Sequence, residues 1–293
     1  MWRHTLGSRQ PDVLVFEEAD DAFYVHVGCS RDKQMVLVTS GNAVTNETRF
    51  VRADAPLETF QARRVVVEGL EDPTPLRVRH SHTPSALTPF HTPTPSSQVI
   101  LPRETDVECD VEHWHGSWVI VKRTAATPNS EVIVCPVANP AAQRVLLVHD
   151  EAVKIEDIAV SERFAAVFVR TGGLQEAQVY ALPADKRGES ISLTGGRKLE
   201  FSEPAYDLGL GAQGDFDSDV LAISYTSLTT PPTTFWQHMA SGAQVVKKVR
   251  PVLGGFEQAL YATERIWATA PDGVKVGRGG ESSREAERQQ ARA

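Results

Sequence analysis

The chain has 293 residues, 41% of them hydrophobic and 23% charged, with a formal net charge of −8. That length suits one large β domain or two ordinary ones. The negative charge repels phosphate backbones and anionic lipid, which argues against nucleic-acid and membrane partners. No apolar run approaches the ~20 residues of a membrane span.

The first residues, Met1-Trp2-Arg3-His4-Thr5-Leu6-Gly7, lack the apolar core of a signal peptide. Cys29, Cys109 and Cys135 are odd in number and far apart, which suits reduced, buried thiols in a cytosolic protein better than disulfides or a zinc site. Asp12 to Glu18 is apolar and then acidic, and Glu17, Glu18, Asp20 and Asp21 read as a solvated edge and not as an acid/base pair. Four strands are then expected, at Phe23–Val27, Met35–Thr39, Thr48–Arg52 and Ala62–Glu68.

Residues 69–98 change character. Pro73, Pro75, Pro84, Pro89, Pro93 and Pro95 fall among Ser and Thr. Proline removes a backbone donor and fixes φ, so this stretch reads as a solvated loop inserted between repeating units. His80, His82 and His91 lie in it, with His113 and His115 beyond. A His-x-His pair can ligate a metal, but scattered histidines in a polar loop need none, and no metal or cofactor is expected.

Strand patterns resume at Cys109–Glu112 and Ser117–Lys122 and continue through Gln175–Leu182. Leu221–Tyr225, Thr233–His238 and Gln244–Val249 then form a meander. An apolar quartet recurs after a polar turn at Met35-Val36-Leu37-Val38, Trp118-Val119-Ile120-Val121, Ala166-Val167-Phe168-Val169, Leu221-Ala222-Ile223-Ser224 and Ile266-Trp267-Ala268-Thr269. The last three intervals are 48, 55 and 45 residues; the first is 83, of which the Pro-rich insert takes 30. A period of ~40–50 residues is that of propeller blades. Trp114, Trp118, Trp236 and Trp267 fall at strand positions and are expected to pack between blades.

Two stretches resemble a known family. The opening, with Asp12-Val13-Leu14-Val15-Phe16-Glu17-Glu18 and Asp20-Asp21-Ala22-Phe23-Tyr24-Val25, is similar to a propeller segment of the prolyl oligopeptidase family of serine peptidases, on the oligopeptidase B side. So are Ser224-Tyr225-Thr226-Ser227, Thr229-Thr230-Pro231, Thr263-Glu264-Arg265 and Asp272-Gly273. With the repeat, the resemblance implies an all-β, open propeller of about four blades over residues 1–276. Residues 277–293 are polar and charged with no apolar stripe, and read as a disordered tail. In that family the propeller gates a cytosolic active site that takes short peptides and, on the oligopeptidase B side, cleaves after basic residues.

The catalytic machinery is a separate question. A hydrolase serine needs a Gly-x-Ser-x-Gly elbow, because small residues must flank a strained strand-to-helix turn. Gly188-Glu189-Ser190-Ile191-Ser192 comes nearest and lacks the closing glycine. No catalytic, cofactor or metal residue is therefore assigned, and the chain is expected to be inactive alone. The alternative is a non-catalytic propeller fragment serving as a protein-interaction module. Either way, an open arc exposes its two end blades, and self-association or pairing with a missing half or a hydrolase domain is expected.

Overall fold

In the computed structural model the described residues are 1–55 and 98–283. A two-stranded ribbon, β1 (Trp2–Arg3) with β2 (Val13–Leu14), precedes four antiparallel four-stranded sheets. The first holds β3 (Tyr24–Cys29), β4 (Met35–Gly41), β5 (Asn46–Arg52) and β6 (Gln98–Val99). The second holds β7 (Glu108–Trp114), β8 (Ser117–Arg123), β9 (Glu131–Pro136) and β10 (Arg144–Leu147). The third is β11 (Val153–Val160), β12 (Phe164–Thr171), β13 (Leu174–Ala181) and β14 (Arg197–Lys198). The fourth is β15 (Tyr206–Leu210), β16 (Val220–Ser227), β17 (Thr233–His238) and β18 (Gln244–Val249). A hairpin of β19 (Tyr261–Thr269) and β20 (Lys275–Ser283) follows. Each four-stranded sheet meanders in sequence order, as propeller blades do.

Four of the five apolar quartets are the second strands of these four sheets; the fifth, Ile266-Trp267-Ala268-Thr269, ends β19 of the last hairpin and is exposed. In β8 and β12 the composition follows from burial on both faces. Side chains alternate across a strand. In β8, Trp118 and Ile120 pack with Met35 and Phe50 of the first sheet, while Val119 and Val121 pack with Val167 and Val169 of the third. In β12, Ala166 and Phe168 turn the other way, towards Leu221 and Ile223 of the fourth. A strand sandwiched between two sheets therefore reads as a continuous apolar run. Trp118 is wholly buried, and its indole meets Phe50 edge-on at 4.8 Å between ring centroids.

The two ends, both expected to be bare and apolar, are covered unequally. On the first sheet, Val38 and Val51 are buried under Val15 and Phe16. On the fourth, Leu221, Ile223 and Tyr225 point into the core, but the alternate positions are Ala222, Ser224 and Thr226. Opposite Ser224 stand Thr234 and then Lys248, and these polar residues line a groove of about 540 Å³. Part of the outward face is thus small and polar, but Trp236 opposite Ala222 and Val245 opposite Trp236 are exposed, as are Ile266 and Trp267 of the last hairpin, so apolar area stays uncovered at this end.

Three further readings are corrected. Residues 62–68 lie outside the described residues, and the fourth strand of the first sheet is Gln98–Val99, anchored by buried Ile100. The Pro-rich insert, itself outside the described residues up to 97, thus interrupts one sheet between β5 and β6 and does not separate two units. The tail boundary at Gly277 falls inside β20, which pairs with β19 as far as Ser283 opposite Tyr261; residues 284–293 are not described.

Glu18 departs from the solvated edge assigned to it. Its carboxylate accepts from Arg103 Nη2 at 2.6 Å and Ser40 Oγ at 2.5 Å, clamping the 15–18 segment onto the first sheet. The Arg103 hydrogen bond outweighs the opposing effect of burial and holds the carboxyl at about 2, below the ordinary 4.5. A depressed carboxyl stabilises above its unfolded pKa and loses that contribution as pH falls through the folded one. Glu18→Gln is therefore expected to cost about 2–3 kcal/mol at pH 7, with wild type and variant converging as pH drops from 4.5 towards 2 in urea unfolding.

Candidate functional site

The first strands of the sheets form the inner wall of the arc, where β7 and β11 run side by side. Alternation on β7 sends Val111 to the core and Asp110 and Glu112 to the wall. The bulge in β11 between Ile155 and Asp157 turns Asp157 to the same side. The three carboxylates share a cleft of about 250 Å³ with Leu37, Thr39 and Thr48 of the first sheet.

Burial dominates the electrostatics of this wall. It pushes Glu112 up to about 7; Arg31 partly offsets the shift, and the charges of Asp157 and Asp32 add to it. Asp110 is raised by burial and by Asp157 and Glu108, and Asp157 is raised by burial. Asp110 and Asp157 reach solvent inside the cleft, yet its protein walls still desolvate them. Such a wall carries negative charge that is easily neutralised by a cation.

At one end of the wall the inner turns of the sheets are tied together. The turn between β3 and β4 supplies Arg31, Asp32 and Lys33. Asp32 Oδ2 lies 2.5 Å from His113 Nδ1, and both side chains are buried, at 2% and 0% exposure. The Gly116 N–H donates to His113 Nε2, so the ring proton is on Nδ1 and points at Asp32. Burial alone would raise Asp32; the hydrogen bonds from His113, Ser30 and the Gln34 N–H hold it below the ordinary range. Arg31 reaches the Val160 and Gly214 carbonyls, and Lys33 pairs with Asp215 at 3.4 Å. Trp114 Nε1 donates to the Glu162 carbonyl at 3.0 Å. The first sheet is thereby bonded to the second, the third and the loop leading into β16.

The residues weighed in the sequence fall apart in space. Ser190 sits on a 3-10 turn, Gly188–Ser190, and its hydroxyl donates to Asp185. His113 spends both ring nitrogens on Asp32 and Gly116, while His80, His82 and His91 lie outside the described residues. Cys109 and Cys135 are buried, and burial pushes their thiols up to about 12 and about 11. Cys29 is exposed, contrary to the expectation of three buried thiols. Trp114 and Trp118 are core, whereas Trp236 and Trp267 are 43% and 52% exposed and carry Lys247 and Arg265 over their rings. Those two stand on strands that no further sheet covers. Asp32, Glu112 and Asp157 were given no site role in the sequence: Glu112 shows only as an acidic residue at an alternate strand position, Asp32 lies in a turn and Asp157 follows a bulge.

Residues 1–250 match the family model for the prolyl oligopeptidase N-terminal β-propeller domain, and β19–β20 lies beyond that match. Among curated relatives, the chain is similar to dipeptidyl aminopeptidase BI of Pseudoxanthomonas mexicana, 28% identical over 273 residues. That alignment covers 92% of this chain and 31% of the relative. Protease 2 of Moraxella lacunata is 25% identical over 277 residues, 94% of this chain and 33% of the relative. Among solved structures, oligopeptidase B of Trypanosoma brucei, in a closed form with covalently bound antipain, superposes with a TM-score of 0.74 at 26% identity. Oligopeptidase B of Leishmania major gives 0.72 at 23% identity, and each alignment covers 97% of this chain and 35% of the other. The chain spans about a third of the length of these relatives. With four meandering sheets packed face to face and a family match over most of its length, the chain belongs to the prolyl oligopeptidase family through its N-terminal β-propeller domain.

Proposed function

We propose that the chain is the substrate-gating propeller portion of an oligopeptidase B-like serine peptidase, which admits short peptides and serves cleavage after basic residues. The observation that carries this reading is the inner wall, where Asp110, Glu112 and Asp157 share one cleft. A cationic side chain passing along that wall is attracted, and an acidic one is repelled. The chain works in the cytosol in this reading, where Cys29, Cys109 and Cys135 stay free thiols. No helix among the described residues is long and apolar enough to cross a membrane. Chemistry belongs to a hydrolase domain, because the 293 residues contain no Gly-x-Ser-x-Gly elbow.

Two measurements test this. The purified chain should not hydrolyse short fluorogenic peptides with Arg or Lys at the cleavage site; turnover blocked by a serine-reactive fluorophosphonate would contradict the assignment. Calorimetric titration should show an arginine-containing tetrapeptide binding roughly tenfold tighter than its glutamate counterpart, as several solvated charge contacts of up to ~1 kcal/mol each allow. The double variant Asp110→Asn, Asp157→Asn should erase that preference. Equal affinity of the unaltered chain for both peptides counts against a gate for basic substrates and favours the interaction module.

A further inference from the structure

Glu203, in the connection from β14 to β15, is caged by hydroxyl groups. Tyr225 Oη donates to it at 2.5 Å, Thr229 Oγ1 at 2.6 Å, Ser227 Oγ at 2.7 Å and Thr230 Oγ1 at 2.8 Å. Ser227 Oγ also accepts the backbone N–H groups of Thr229 and Thr230, which fixes the β16–β17 turn around the carboxylate. Two of the donors extend the network to the last hairpin and to the 3-10 turn, Gln258–Leu260, that leads into it. Thr263 Oγ1 on β19 lies 2.9 Å from Thr229 Oγ1, and Gln258 Nε2 donates to Thr230 Oγ1 at 2.7 Å.

Proton accounting sets the direction of each link. A hydroxyl has one proton. Thr229 and Thr230 give theirs to Glu203, so each is left with acceptor lone pairs for the hairpin. Thr263 must then donate to Thr229, as Gln258 does to Thr230. Two chains run from hairpin to threonine to carboxylate, and the anion at their end polarises every link. Burial alone would raise the carboxyl of Glu203, but the hydrogen bonds from Thr229, Tyr225, Ser227 and Thr230 hold it below its ordinary range.

The hairpin has little else to hold it. No residue of β19 or β20 belongs to an apolar core cluster of the described residues. Ile266, Trp267 and Val276 are each about half exposed. Beyond the cage, Arg265 reaches the Gly172 carbonyl in the turn between β12 and β13. Gly279 also passes close to the chain beside the cage; a Cβ there would stand 3.3 Å from that of Ala205. We propose that Glu203 is a latch: its carboxylate orients the Thr229 and Thr230 hydroxyls to accept from Thr263 and Gln258, and hairpin β19–β20 docks on the last sheet only while that relay is intact. This rests on the side-chain contacts alone and stands apart from the substrate reading.

Hydrogen exchange with mass spectrometry on the 293-residue chain tests it. In Thr263→Val, which leaves the cage complete, amides of 261–269 should exchange about tenfold or more faster, while β8 and β12 are unchanged. Thr263→Ser restores the hydroxyl and should restore wild-type protection. Glu203→Gln, which can donate as well as accept, should loosen the hairpin at least as much as Thr263→Val. Where it also exposes β16 and β17, the two Thr263 variants decide alone. Unchanged protection of 261–269 in Thr263→Val, or Thr263→Ser exchanging as fast as Thr263→Val, would overturn the latch.

Discussion

Asp32→Ala should lower the unfolding free energy by about 3 kcal/mol, because it leaves buried donors without an acceptor at a cost of about 1–3 kcal/mol each. Asp32 and His113 meet at 2.5 Å with almost no solvent contact, and the His113 ring stands edge-on to Trp118 at 5.1 Å between centroids. Without the carboxylate, the His113 Nδ1–H has no partner in a site that water does not reach, and Ser30 loses its acceptor as well. A domain of this kind is stable by only ~5–15 kcal/mol, so the change removes a large share of the total. Urea unfolding followed by circular dichroism should show a lower midpoint with an unchanged slope. Asp32→Asn keeps an acceptor oxygen and should recover part of the loss. A cost under about 1 kcal/mol for Asp32→Ala would mean that the pair does not join the first sheet to the second.

Glu112→Gln should act in the opposite direction and only at higher pH. The carboxyl stands at about 7 in the folded chain against an ordinary 4.5, with burial the main cause. A raised carboxyl binds its proton more tightly when folded. Stability therefore falls as pH climbs from the unfolded pKa through the folded one. A shift of this size is worth about 3 kcal/mol, realised above pH 7 and absent below 4.5. Glutamine cannot ionise. Wild type and Glu112→Gln should thus match near pH 4.5, and the variant should be the more stable by about 3 kcal/mol at pH 8. A difference that does not vary with pH would show that Glu112 is solvated. The same ionisation bears on the proposed gate, since the wall gains charge through neutrality and its preference for basic peptides should sharpen between pH 6 and 8.

The resemblance rested in part on the Ser224–Ser227 and Thr229–Pro231 stretches, whose contacts supply a physical reason for those residue types. Ser227, Thr229 and Thr230 are hydroxyl donors around Glu203. The carboxylate they serve is more than twenty residues upstream, in a segment with no strand pattern of its own. Hydroxyl-rich turns are common, and nothing local marks this one as a cage.

The chain's repeats were legible because alternation and burial are local properties of a strand. Trp118-Val119-Ile120-Val121 and Ala166-Val167-Phe168-Val169 are apolar throughout since both faces of their sheets are covered, and Leu221-Ala222-Ile223-Ser224 reverts to alternation where no sheet follows. The same logic failed for β6, whose two residues carry no periodicity and pair with Arg49 and Phe50 across a long excursion of chain. It failed for Glu18, Asp32 and Glu112 for a different reason. A carboxylate's role depends on what stands beside it, and their neighbours Arg103, His113 and Arg31 are 81 to 85 residues away in the chain. Strand composition determined that this protein is a stack of β-meanders. Only the packing of one sheet against the next decided which of its acidic residues are clamps, which form a chargeable wall, and which one holds the last hairpin, because desolvation and hydrogen-bond partners are set across interfaces that strand periodicity does not encode.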